Sequence, residues 1–179
     1  MNKFPKLERL NYFNGRILSA DDFNLEQAYF IDKQRLHNRY LHGWGVVAGL
    51  DVSIMGGKVH VEPGVAIDCA GNEIYLRGCV DIAVLKGASE CYVVVEYCEI
   101  QTTPIPVIGS TGDVGQTVVV NARIQEDCKV YLAALNPNLK HEKIGPGTCG
   151  CGKPHPLAIA HLQKGARGWK LQKCGRRAA

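Results

Sequence analysis

The chain has 179 residues and a formal net charge of +4, which suits one domain or one domain with an appendage. Its Lys and Arg are scattered, with no basic stripe interleaved with aromatics, and this argues against nucleic acid as a partner. No apolar run reaches the length of a membrane span, and the opening MNKFPKLERL lacks a signal peptide's apolar stretch, so synthesis in the cytosol is expected.

Residues 1–18 read as an extended arm, because Pro5 and the Asn14-Gly15 pair break any helix. Ser19 is the natural N-cap, with Asp22 three residues on as a short form of the capping box. Acidic Asp21, Asp22 and Glu26 load the start of the run that follows. Basic Lys33, Arg35, Arg39 and His42 load its end, as a helix dipole favours. Gly43 is the natural stop. A helix over about 20–42 is therefore expected.

That helix has two stripes. Phe23, Gln27, Phe30, Gln34, His37 and Leu41 form a coiled-coil-like seam with polar residues between apolar ones. Leu25, Tyr29, Leu36 and Tyr40 form a second stripe roughly opposite. Two stripes need two partners. Either the helix is wedged between its own sheet and arm, or one stripe is covered by another chain. His37 and His42 fall half a turn apart in ordinary helical geometry, which excludes joint chelation of the i, i+4 kind.

At Gly43-Trp44-Gly45 the period changes from helical to alternating. Trp44, flanked by two glycines, is expected to fold under the corner and pin helix to sheet. Leu50–Met55 and Lys58–Glu62 flank Gly56-Gly57 as a hairpin, and Val65–Cys69 and Glu73–Arg77 form a second. Further strands are expected at Val80–Leu85, Tyr92–Ile100, Thr117–Ile124, Lys129–Leu135, Leu157–Leu162 and Trp169–Gln172. Residues 101–116 and 136–156 read as long loops. The fold class is α+β, mainly β: an arm and one long helix (1–45), then an antiparallel β-sandwich or barrel-like domain (46–179).

Eight cysteines make the chain cysteine-rich. Cys69, Cys79, Cys91, Cys98 and Cys128 lie in or beside apolar β-like runs and read as small buried hydrophobes. Cys149 and Cys151, with His155 and either His141 or Cys174, could hold a structural zinc or an iron–sulfur centre, form a disulfide, or stay as free thiols. The sequence has no nucleophile elbow, phosphate loop or dinucleotide fingerprint. Asp68, Glu73 and Asp81 are explained by turns and strand edges, and no enzymatic activity is expected.

One stretch is more specific. Tyr12-Phe13-x-Gly15, Leu18-Ser19-Ala20-x-Asp22, Glu26-Gln27, Leu36-His37-Asn38-Arg39 and His42-Gly43-Trp44-Gly45-Val46-Val47-x-Gly49-Leu50 form a long signature. Val61-x-Pro63-Gly64-x-Ala66-Ile67-Asp68-x-x-Gly71-x-Glu73-Ile74 continues it, and Leu157-Ala158-Ile159-Ala160 looks like its closing strand. Together they resemble small proteins of contractile phage tails and phage-tail-like injection systems, found at the baseplate or where fibres attach. The resemblance implies a structural virion or particle component assembled in the host cytoplasm, with other tail, baseplate or fibre proteins as partners. It covers about the first 85 residues well and the rest loosely, and the loop 136–156 has no counterpart in it.

Two functions of different classes follow. In an assembly protein the interface would be the arm (Phe4, Leu7, Leu10, Tyr12, Phe13), the seam and the corner (Arg39, His42, Trp44). A homo-oligomer is then expected, with a trimer as the working copy number. The alternative is a β-sandwich module that recognises a carbohydrate or peptide on a host surface through the two long loops. Those loops hold no Trp, Tyr or Phe for sugar stacking, which favours assembly. A redox- or metal-responsive element at Cys149 and Cys151 is compatible with the first reading.

Overall fold

In the computed structural model of the chain, residues 6–84, 87–108, 117–140, 143–145, 148–149, 153–166, 168–174 and 178 are described. The helix α1 spans Ala20–His37 and starts for the expected reason. The Ser19 hydroxyl accepts from the Asp22 amide at 3.3 Å, and the Asp22 carboxylate accepts from the Ser19 amide at 2.9 Å. Arg16 reaches the same carboxylate at 2.6 Å, tying the arm to the first turn. The Ser19 amide first, and then Arg16, hold the Asp22 pKa below its ordinary value.

The helix does not run on to residue 42 in α form. Asn38–His42 is a π turn, closed by the Gly43 amide donating to the Asn38 carbonyl at 2.8 Å. The wider turn accommodates one more residue than 3.6-residue periodicity allows. Gly43 (φ 75°) and Gly45 (φ 136°) then carry the chain round the corner in conformations that side chains disfavour. Trp44 stands between them, half-buried against the core, as expected of a residue that pins the corner.

Among the described residues twelve strands follow, all paired antiparallel in four sheets. The strand β1 (Gly45–Gly49), which precedes the first strand expected from the sequence at Leu50, pairs with β4 (Gly64–Ile67), and β4 pairs with β5 (Glu73–Leu76). The hairpin β2 (Val52–Met55) and β3 (Lys58–Val61) turns at Gly56-Gly57, and β3 also pairs with β6 (Val80–Ala83). The largest sheet contains β7 (Glu90–Ile108) and β8 (Thr117–Ala133). It is completed by β11 (Leu157–Gly165) and β12 (Gly168–Lys173), in the order β12-β11-β7-β8. A small hairpin, β9 (Lys143–Gly145) with β10 (Thr148–Cys149), lies within the expected loop 136–156.

The sheets other than the β9–β10 hairpin share one core. Val59 and Val61 of β3, Ile74 of β5, Val93 and Val95 of β7, and Leu157 and Leu162 of β11 are almost completely buried in the same cluster. In β3 and β5 the buried residues alternate with exposed or half-buried neighbours, the pattern of a sheet with one face turned inward, whereas Val93–Val95 of β7 and Leu157–Ala160 of β11 are continuous buried runs, as in strands covered on both faces.

The expected loop 101–116 is strand for its first half. β7 continues to Ile108 opposite β8, pairing from Tyr92↔Ala133 to Ile108↔Thr117. The pairing of β11 to β7 stops at Leu157↔Val95. Beyond that point β7 is an edge strand, where Pro104 and Pro106 leave no ladder donor missing on an inner side. For the same reason the separate strands expected at Thr117–Ile124 and Lys129–Leu135 are one.

Candidate functional site

The helix is fastened at one end, by polar groups. Asn38, buried at the start of the π turn, donates from Nδ2 to the Gly71 carbonyl at 2.9 Å and to Glu73 Oε1 at 3.1 Å. Gln34 Nε2 donates to the same Glu73 oxygen at 2.9 Å, and Arg35 Nε donates to Asn72 Oδ1 at 2.7 Å. Glu73 also accepts from the Tyr75 hydroxyl. That hydrogen bond, more than those from Asn38 and Gln34, draws its pKa down.

The receiving surface is the turn between β4 and β5. Asp68 is buried there, and its carboxylate accepts from the Ala70 amide (2.8 Å), the Asn72 amide (2.9 Å) and Asn72 Nδ2 (2.8 Å). Burial lifts its pKa while these donors pull the other way. At Gly71 (φ 91°) the backbone touches the helix directly, since an added Cβ would sit inside contact distance of the Arg35 carbonyl oxygen. Residues 34–38 and 68–73, read in the sequence as two separate pieces of one signature, thus meet as an anchor. Asn38, Gly71 and Asn72 were not singled out as functional from the sequence. Asn38 carried a signal, being a polar residue in a run of motif positions, but its partner lies 33 residues away.

Beyond the anchor the helix stands clear of the core. No residue of α1 is buried, and none belongs to the core cluster. On the seam Phe23 is 55% exposed, Phe30 59% and Leu41 66%, while Gln27, Gln34 and His37 between them are exposed too. In the second stripe Tyr29 and Leu36 are half-buried, and Leu25 and Tyr40 are exposed. The arm presents Leu7, Tyr12 and Phe13 to solvent and half-buries Leu10. Two open clefts of about 400 Å³ and 390 Å³ flank Arg35 between the helix and the root of the β7–β8 ribbon. They are lined largely by Arg, Asp, Glu, Gln and Asn, with Tyr97 in both. The ribbon adds its own exposed apolar residues, among them Val118, Val119, Val120 and Ile124.

His37 and His42 require a correction. Their Nε2 atoms are 3.2 Å apart and their ring centroids 5.1 Å. The separation expected for an ordinary helix fails because the π turn wraps one extra residue and brings positions five apart over one another. Cys79 also departs from expectation, being exposed just ahead of β6, whereas Cys91 is buried and Cys98 and Cys128 are half-buried.

The loop cysteines are only partly visible. Cys149 is placed by its backbone at the end of β10, and Phe4, His141 and Cys151 lie outside the described residues. His155 is half-buried just ahead of β11. Cys174 is a half-buried free thiol whose amide donates to the Ile159 carbonyl at 3.2 Å. Among the described residues no helix is long and apolar enough to cross a membrane, which says nothing of strands.

No family model matches the chain, and no curated protein matches it. Solved structures with a similar fold do exist. The crystal structure of TssK aligns at a TM-score of 0.53 with 13% identity, over 93% of this chain and 41% of that one. A chain of the type VI secretion system TssK-TssF-TssG baseplate subcomplex aligns at a TM-score of 0.51 with 12% identity, over 93% of this chain and 60% of that one. At such identities the likeness is one of fold, and this chain spans less than two-thirds of the length of either structure.

Proposed function

We propose that the protein is a structural component of a contractile phage tail or phage-tail-like injection particle, placed at the baseplate or the fibre attachment point, and that it works by protein–protein assembly without catalysis. The observation that carries this reading is the helix: anchored by hydrogen bonds at its last turns, it leaves the Phe23, Phe30 and Leu41 seam in water. Exposed large apolar residues in a row mark an interaction surface. The resemblance of residues 12–74 to tail and baseplate components supports the setting, as does a fold shared with TssK structures.

The seam is proposed to join copies of this chain, in a trimer, with the arm and the β7–β8 ribbon facing other baseplate or fibre proteins. Burying apolar surface supplies the energy, at about 25 cal/mol per Å² before the costs of association. Polar Gln27 and Gln34 within the seam would set register, as polar seam residues do in coiled coils.

Phe30→Asp tests this. The side chain is exposed within one chain, so circular dichroism should show unchanged β structure. Placing a carboxylate in the joint should reduce the oligomer to monomer in light scattering, because an unpaired charge is costly to bury. An oligomer of unchanged mass would remove the seam from the account.

A further inference from the structure

Where β3 and β6 stop pairing stands a cluster of His60, Glu62, Cys79 and Asp81 that neither the helix seam nor its anchor uses. In their antiparallel register His60 faces Asp81 and Val61 faces Val80, and just past this last pair the Cys79 thiol meets the Glu62 carboxylate. His60 and Glu62 are two apart at the end of β3, and Cys79 and Asp81 two apart at the start of β6, with Glu62 and Cys79 one residue beyond the strands. All four side chains therefore share one face of the β2-β3-β6 sheet, the face turned away from fully buried Val59 and Val61.

We propose that His60, Glu62 and Cys79 bind a divalent transition-metal ion of the zinc class, with Asp81 as the residue that orients His60.

The spacing fits. His60 Nε2 is 3.2 Å from Glu62 Oε1, and the Cys79 thiol lies 3.3 Å from Glu62 Oε2. The three donor atoms all fall within 4.8 Å of one another. Zinc bonds of about 2.0–2.3 Å at tetrahedral angles put neighbouring donors roughly 3.3–3.6 Å apart. Small rotations of exposed Glu62 and Cys79 close the set around one ion. The donor types fit as well: imidazole, thiolate and carboxylate together suit zinc and its neighbours and not calcium or magnesium.

The orientation of His60 is a second, separate observation. Asp81 Oδ1 is 2.6 Å from His60 Nδ1. A carboxylate on Nδ1 fixes the tautomer that leaves Nε2 as the ligand atom, the arrangement that accompanies metal-bound histidines. A cross-strand ion pair alone would account for His60 and Asp81, but not for a thiol directed at the Glu62 carboxylate. With three protein donors the fourth position is open to water. Binding releases the thiol proton that Cys79 now donates to Glu62, and Nε2 must be deprotonated, so affinity should rise with pH. The titratable groups of the cluster are the three donors His60, Glu62 and Cys79, and Asp81 behind His60 Nδ1.

The test uses the full chain carrying Cys149→Ser and Cys151→Ser, so that loop thiols cannot contribute, reduced and stripped with chelator. Cobalt(II) and zinc are the probes, followed by absorption and calorimetry. One ion per chain, with a thiolate-to-cobalt band in the near ultraviolet, is expected. Cys79→Ser should abolish the band and weaken zinc by at least tenfold, and Asp81→Asn should weaken it by about 10–100-fold. Cys79 and Asp81 are both exposed, so both variants should keep the parent's circular dichroism. No stoichiometric binding tighter than about 10 μM in the Cys149/Cys151 double variant would overturn the proposal. So would cobalt spectra unchanged by Cys79→Ser. Neither result bears on the oligomeric state, so this site and the assembly reading stand or fall separately.

Discussion

Asp68 shows how much a single side chain organises here. A buried carboxylate that accepts three hydrogen bonds within its own turn fixes the loop that receives the helix. Asp68→Ala should destabilise the fold by roughly 2–3 kcal/mol in urea unfolding, since it leaves buried donors without an acceptor. Asp68→Asn should cost less but still measurably, because its amide would meet the Asn72 amide donor to donor. His60 makes a prediction of opposite pH sense to the usual carboxylate case. The hydrogen bond to Asp81, ahead of that to Glu62, raises its pKa in the folded chain. A raised folded pKa contributes stability that is complete below the unfolded value of about 6.5 and is lost as pH rises through the folded value. In metal-free protein, Asp81→Asn should therefore lower the urea midpoint near pH 5.5 and leave it almost unchanged near pH 8.5. Equal losses at both pH values would show that the pair contributes through packing and not through the charged imidazole.

At the scale of elements, the joint between helix and hairpin is the decisive contact. Gly71→Ala forces a left-handed backbone on a side-chain-bearing residue and drives a Cβ into the Arg35 carbonyl. A loss of roughly 2 kcal/mol or more is expected from the strained backbone alone. Limited trypsin digestion should then cut faster at Lys33, Arg35 and Arg39, while the β sheets persist. Digestion at the parent's rate would mean that the anchor is not what holds the helix. The elements themselves were unevenly legible. The capping box at Ser19 and Asp22, the Gly43 stop and the hairpin turning at Gly56-Gly57 are local chemistry and could be read directly. The π turn could not, because its extra residue is set by Asn38 reaching a carbonyl in a distant hairpin. The β7–β8 ribbon was hidden by Pro104 and Pro106, which signal a loop everywhere except on a strand edge, and edge status depends on where β11 stops. Cys79 read as a buried hydrophobe because it stands directly before the apolar-rich run Val80–Leu85. Its exposure comes from which face of β6 turns outward, a property of the whole sheet.

At the scale of the whole molecule, one core joins the sheets other than the β9–β10 hairpin, and the arm, helix and ribbon carry the large exposed apolar surface. A free-standing binding module would not need a helix whose apolar seam is left uncovered along its length. The seam is legible in the sequence as a pattern of fours and threes. That it stays open to solvent is not, because a pattern of apolar positions does not say which body covers them. The most direct measurement is native mass spectrometry of the purified chain over a range of concentrations, with and without reductant and chelator. The account predicts a discrete oligomer, a trimer, that survives both additions. A monomer at every concentration, or an oligomer that disappears with reductant or chelator, would contradict assembly through the helix seam.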